Sequence, residues 1–145
     1  MIIGVTQRVD RVEHYDEWRD ALDQRLIDWV VQAGFVPVPV PNSLVDIASS
    51  NSSQLILVNW LNSMKIDAVL LSGGNNIGDV EQRDLTEKYL LSWAEKNRNP
   101  VLGICRGMQM MGVYAGGELI EVDGHVRTRH QLQIKSSLIQ SLPNQ

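Results

Sequence analysis

The chain has one cysteine, one phenylalanine and three histidines among 145 residues. It has no excess of positive charge and no apolar run longer than a strand. A single cysteine rules out an intrachain disulfide, and no Cys/His cluster has zinc spacing, so no metal site and no cofactor is expected. The net charge of −4 gives no electrostatic reason for nucleic acid or an anionic membrane surface as a partner. Met1 to Gln7 lacks the apolar core and basic flank of a secretion signal, and nothing is long enough to span a bilayer. A cytoplasmic enzyme is the expectation. What is present, 43% hydrophobic and 21% charged residues, is ordinary for a folded domain. A chain of this length buries about 70% of its unfolded surface as one domain, residues 1–145.

The apolar pattern alternates between short buried runs and helical periods. Ile2–Thr6 reads as a first strand. From Glu13 to Ala33, Tyr15, Trp18, Leu22, Leu26, Trp29 and Ala33 recur at helical spacing, with Gly34 as the stop signal. Phe35–Val40 reads as a strand whose Pro37 and Pro39 lack ladder donors, which places it at a sheet edge. Asn42–Ser53 is polar, Leu55–Leu61 reads as helix, and Asp67–Leu71 as a core strand. Gln82–Asn97 is helical, with Leu85, Tyr89 and Trp93 on one face. Pro100–Ile104 is the next strand and Arg106–Ala115 the helix after it. Strands alternating with helices predict a parallel sheet covered on both faces. Beyond Gly117, Glu118–Val122 and Arg127–Lys135 flank Asp123-Gly124 and read as a hairpin.

The lone cysteine falls at the most informative point, in Gly103-Ile104-Cys105-Arg106-Gly107-Met108-Gln109, between a strand and a helix. A nucleophile on a sharp strand-to-helix turn is lifted clear of the sheet, and the flanking glycines let the backbone bend there. The positive end of the helix behind it favours a thiolate. In a parallel sheet, ligands gather at the carboxyl ends of the strands. Thr6-Gln7-Arg8 and Ser72-Gly73-Gly74-Asn75-Asn76 fall at that end together with the Cys105 turn. The amides of Gly74 and Arg106 are placed to receive the oxyanion formed when sulfur attacks a carbonyl, each such donor being worth about 2.7–4 kcal/mol in the transition state.

These residues resemble the class I glutamine amidotransferase family, whose signature is a G-x-C-x-G-x-Q turn after a glycine-rich oxyanion strand. Residues 103–109 match every fixed position. Arg106 and Tyr114-Ala115-Gly116-Gly117 are more like the γ-glutamyl hydrolase branch. Within it, Gly4–Arg8 and Leu71–Asn75 look like members that act on a γ-glutamyl amidate in capsule modification. The resemblance implies a flavodoxin-like three-layer α/β fold with a mainly parallel sheet, helices on both faces, and the elbow after a central strand. It implies hydrolysis of a small-molecule γ-glutamyl amide through a thioester on Cys105, with Gly74 and Arg106 as oxyanion donors. Arg8, Gly73, Asn75 and Gln109 would bind substrate, Gln109 on the glutamyl group and Arg8 on an anionic leaving group. Asp84, following Arg83, would cap and position the third helix.

The family's base is a histidine followed two residues later by Glu or Asp. His14, at the start of the first predicted helix, does not fit this, and His125 and His130 are followed at that position by Arg127 and Leu132. The chain therefore reads as C-terminally incomplete, poorly active or inactive alone, and prone to self-associate through an uncovered side of the sheet. The alternatives are an inactive remnant that binds a γ-glutamyl ligand or partner chain, and a small stress-related α/β protein with a similar cysteine elbow. Thr6-Gln7-Arg8 stands where that last group carries a glutamate, which argues against it.

Overall fold

The computed structural model describes residues 1–124 and 128–129, apart from the side chains of residues 50 and 51. Four parallel strands form the sheet, in the order β4-β1-β5-β6. They are β1 (Ile2–Thr6), β4 (Val36–Val40), β5 (Ala68–Leu71) and β6 (Val101–Gly103). Helices α1 (Gln24–Gln32), α2 (Ser50–Ser63), α3 (Glu81–Asn97) and α4 (Arg106–Tyr114) connect or follow them. This is the mainly parallel α/β architecture expected of a flavodoxin-like fold.

Successive residues of a strand face opposite sides, and β5 shows this directly. Leu70 joins Val5 and Val30 in one cluster, against which Leu22, Leu26 and Ile27 of the α1 region pack. Val69 and Leu71 join the other, larger cluster with Leu57 and Leu61 of α2, Leu90, Leu91 and Ala94 of α3, and Met110 of α4. Helices thus cover both faces, one on the first and three on the second. Among the described residues β4 lies at an edge, paired only with β1, and tolerates Pro37 and Pro39 opposite Ile3 and Val5. Among the described residues β6 is the other outer strand, so the elbow follows an edge of the described sheet.

The continuous helix expected over Glu13–Ala33 is not formed. Its first half is a 3-10 turn over Glu13–Tyr15, carrying the exposed His14, and strand β3 (Glu17–Ala21), which forms an antiparallel hairpin with the preceding β2 (Arg8–Val12). Only the second half is helical, started by Asp23, whose side chain accepts from the Arg25 amide at 2.9 Å. The helical spacing of Tyr15 and Trp18 was coincidental, for both are exposed. The hairpin is held by its antiparallel ladder and the buried Val9; on its surface Arg11 pairs with Asp16 and lies over Trp18, and Asp20 accepts from both the amide and the side chain of Asn42. Gly34 ends α1 as expected, with a φ of +81°.

Helix α2 is longer than the predicted Leu55–Leu61, and Glu118–Val122 forms no strand, only irregular chain leading to a turn at Asp123-Gly124. Most of Arg127–Lys135, with His125 and His130, lies outside the described residues. No described helix is long and apolar enough to cross a membrane.

Two glycines on α4 separate packing from propensity. A Cβ built on Gly107 would lie 2.2 Å from the Leu71 carbonyl oxygen, whereas one on Gly112 meets nothing within 4 Å. Gly107→Ala should therefore lower stability by at least about 3 kcal/mol through overpacking. Gly112→Ala should raise it by roughly 0.5–1 kcal/mol. Urea unfolding of the two variants checks both signs.

Candidate functional site

The elbow is built from the end of β6. Ile104 continues the ladder by donating its amide to Leu71 O at 2.9 Å. The next residue breaks it: Cys105 has φ 52° and ψ −110°, a conformation that costs a non-glycine residue on the order of 1–3 kcal/mol. Helix α4 begins at once, with Gly107 N donating to Ile104 O at 2.9 Å and Gln109 N to Cys105 O at 3.2 Å. Cys105 is exposed at the head of the helix, not packed in the core.

The flanking glycines act differently from the bending role expected of them. Neither Gly103 nor Gly107 has a positive φ. A Cβ on Gly103 would meet the Gly107 carbonyl carbon at 2.6 Å, and one on Gly107 would strike Leu71. They allow helix and sheet to touch, while the cysteine itself holds the strained backbone.

The Ser72–Asn75 loop leaves β5 beside this elbow. A Cβ built on Gly73 would be 3.7 Å from Cys105 Cβ, so the loop and the nucleophile turn are neighbours. Gly74 has φ +111°, and a side chain there would run into Arg8 Cβ at 2.7 Å. Neither the Gly74 nor the Arg106 amide donates to any described atom. Next to the loop opens a cleft of about 470 Å³, walled by Arg8, Arg25, Leu26, Trp29, Gly74 and Ile104 among others.

Of the residues singled out from the sequence, Gly73 stands beside Cys105, with Gly74 next in the loop and Arg106 directly after the cysteine. Arg8 stands on the cleft wall, half exposed and paired with Asp10 at 3.0 Å. The side-chain amide of Asn75 exchanges two 2.9 Å hydrogen bonds with the Val9 backbone, and its oxygen also accepts from Arg83 Nη1 at 3.0 Å. It is a bracket between loop and hairpin. Gln109 lies one turn into α4 and is exposed.

Beneath the loop is a group of charges that sequence reasoning did not assemble. Arg83 and Glu87 are fully buried and paired at 3.2 Å. Arg83 Nη2 donates to Ser72 O and Gly73 O, each at 2.9 Å. The second Glu87 oxygen accepts from Arg106 Nη1, and Arg106 Nη2 donates to Asp84. Asp84 in turn accepts from the Gly78 amide at 2.7 Å. Thr6 Oγ1 donates to Glu87 at 2.9 Å and accepts from the Ser72 amide at 2.9 Å. Asp84 does not cap α3 as expected, since the cap position is Val80 with no side-chain cap bond; it joins a network of two arginines and two carboxylates. Burial pushes the Arg83 guanidinium below its ordinary value, against the pull of Glu87. Arg106 Nε is buried with no hydrogen-bond partner among the described residues. The signal was available: Arg83 and Glu87 occupy the same helical stripe as Leu90, Leu91 and Ala94, where apolar residues belong. No cluster of His, Cys, Asp and Glu among the described residues is arranged to hold a metal.

An exposed, strained cysteine between a parallel strand and a helix, facing a glycine loop, is the arrangement of the class I glutamine amidotransferase-like proteins. The chain belongs to the Peptidase C26 family, whose sequence profile matches residues 1–141. It is 30% identical over 138 residues to γ-glutamyl-CDP-amidate hydrolase of Campylobacter jejuni, an alignment covering 87% of this chain and 61% of that protein. To a γ-glutamyl-γ-aminobutyrate hydrolase of Escherichia coli it is 27% identical over 131 residues, covering 81% of this chain and 47% of the relative. The chain thus spans about half to three-fifths of the length of these relatives.

The buried network predicts the effect of removing one charge. Arg106→Met keeps the aliphatic stem but leaves Asp84 and Glu87 without their shared partner, and should destabilise the chain by about 3–5 kcal/mol in urea unfolding.

Proposed function

We propose that the chain carries the nucleophile and oxyanion half of a cysteine-dependent γ-glutamyl amide hydrolase. The observation that carries this reading is the left-handed backbone of Cys105, exposed beside the Gly73-Gly74 loop. Strain of this size persists only where the surroundings impose it, and it presents the side chain outward.

In the reaction, Cys105 sulfur attacks the γ-carbonyl carbon of the glutamyl group. The carbonyl oxygen becomes an oxyanion received by the Gly74 and Arg106 amides. Collapse of this intermediate breaks the C–N bond, and the leaving nitrogen departs with a proton as amine or amidate. Water then adds to the thioester, releasing glutamate and restoring the thiol. Both substrates named for the relatives, a CDP-amidate and a γ-aminobutyrate conjugate, have leaving groups with negative charge. Arg8 and Arg25 on the cleft wall suit either of them, and Gln109 remains the candidate for the glutamyl side.

The base is the part with no candidate: no histidine of this sequence is followed two residues later by an acid. In a second reading, these residues bind the γ-glutamyl ligand without turning it over. Loss of a triad partner lowers turnover by roughly 10⁴ to 10⁶, so hydrolysis of γ-glutamyl amides by this chain alone should fall short of an ordinary enzyme by about that factor.

Mass spectrometry after incubation with a diazo-ketone analogue of glutamine tests the proposal. A single adduct on Cys105, absent from Cys105→Ala, is expected in either reading. Iodoacetamide labelling of Cys105 with no diazo-ketone adduct would refute a glutamyl site, and hydrolysis at a typical enzyme rate would refute the missing base.

A further inference from the structure

We propose that Arg83 is a positioning residue that aims the Gly74 amide at the reaction centre by holding the other end of the same peptide unit. The inference rests on the reading of Cys105 as nucleophile and Gly74 as oxyanion donor. A peptide unit is planar and trans, so its C=O and N–H point in opposite directions. Gly73 C=O and Gly74 N–H share one unit. The carbonyl accepts from Arg83 Nη2 at 2.9 Å, which directs the amide away from Arg83, and that amide donates to no described atom.

The loop needs such a hold because of its composition. Two consecutive glycines carry no Cβ to restrict the peptide plane between them, and Gly74 lies at φ +111°. Rotation of that plane would turn a donor into an acceptor and present a carbonyl oxygen to the oxyanion. Arg83 opposes this at four loop atoms: Ser72 O and Gly73 O at 2.9 Å, Asn75 Oδ1 at 3.0 Å and Ser72 Oγ at 3.2 Å. The planar guanidinium fork reaches all four at once, which the point charge of a lysine does not. Arg83 is fully buried, so it acts through the loop and not on substrate.

Glu87 extends the hold to the nucleophile. One of its oxygens accepts from Arg83 Nε at 3.2 Å and the other from Arg106, the first residue of α4. One carboxylate therefore references both the donor loop and the elbow, and Glu87 is the second positioning residue of the same device.

Arg83→Lys and Arg83→Met test the proposal, with Glu87→Gln as the milder perturbation should the first two not fold. Two rates of Cys105 modification are compared in each. Sulfur adds to the diazo-ketone carbonyl to give an oxyanion, then passes to the diazo carbon as that carbon takes a proton from water and N2 leaves. With iodoacetamide, sulfur displaces iodide with no oxyanion formed. The expected result in Arg83→Lys is a diazo-ketone rate lower by roughly 10²-fold, with the iodoacetamide rate within about threefold of the parent. Glu87→Gln should show the same selective loss at smaller size. Equal falls in both rates, or no change in either, would overturn the positioning role. A parent chain that takes iodoacetamide but not the diazo-ketone would refute the glutamyl reading instead. In that event the crystal structure of a folded variant decides. A rotated Gly73–Gly74 peptide plane supports the proposal, and an unmoved one overturns it.

Discussion

The carboxylate of Glu87 sits inside the fold with a guanidinium on each oxygen and a threonine hydroxyl beside them. A charge at that depth is tolerated only when its partners are fixed, because removing one leaves the others uncompensated in a poorly solvating interior. Each partner leads to a different part of the site. Arg83 leads to the Ser72–Asn75 loop, Arg106 to the nucleophile helix, and Thr6 to the end of β1 and the Ser72 amide. The site is therefore indexed to one buried anion, not to the loops that surround it.

Close approach is the second constraint, and it is met by what is missing. Helix α4 touches the sheet because residues 103 and 107 have no Cβ, and the cysteine between them absorbs the backbone strain. The stability given up at Cys105 is small beside the apolar cluster under α3 and α4, where Leu71, Leu90 and Met110 are fully buried. A rigid core thus supports a strained, exposed residue at its rim.

Much of this was legible in the sequence where one signal dominated. The prolines of β4 fixed an edge, the all-apolar β5 a core strand, and the glycine-flanked cysteine an elbow. The hairpin over Arg8–Ala21 was hidden because Tyr15 and Trp18 extended the true period of α1 backwards, while the hairpin is tied to the rest of the fold by contacts of long range, Asp20–Asn42 and Val9–Asn75. Asp23, the actual cap, was the competing signal. The role of glycine in the elbow was also misread, since G-x-C-x-G spells the motif whether glycine bends or merely yields space. The charge network escaped because solvated i, i+4 pairs are common, and the stripe that Arg83 and Glu87 share with Leu90, Leu91 and Ala94 was passed over for the face of Leu85, Tyr89 and Trp93.

The central claim is that sulfur and two main-chain amides converge on one tetrahedral centre. A crystal structure of the chain with a glutamyl ketone captured on Cys105 measures this most directly. The account predicts the tetrahedral oxygen within about 2.7–3.1 Å of both the Gly74 and the Arg106 nitrogen. An oxygen turned to solvent, or held by other donors while those two amides stay unoccupied, would contradict it.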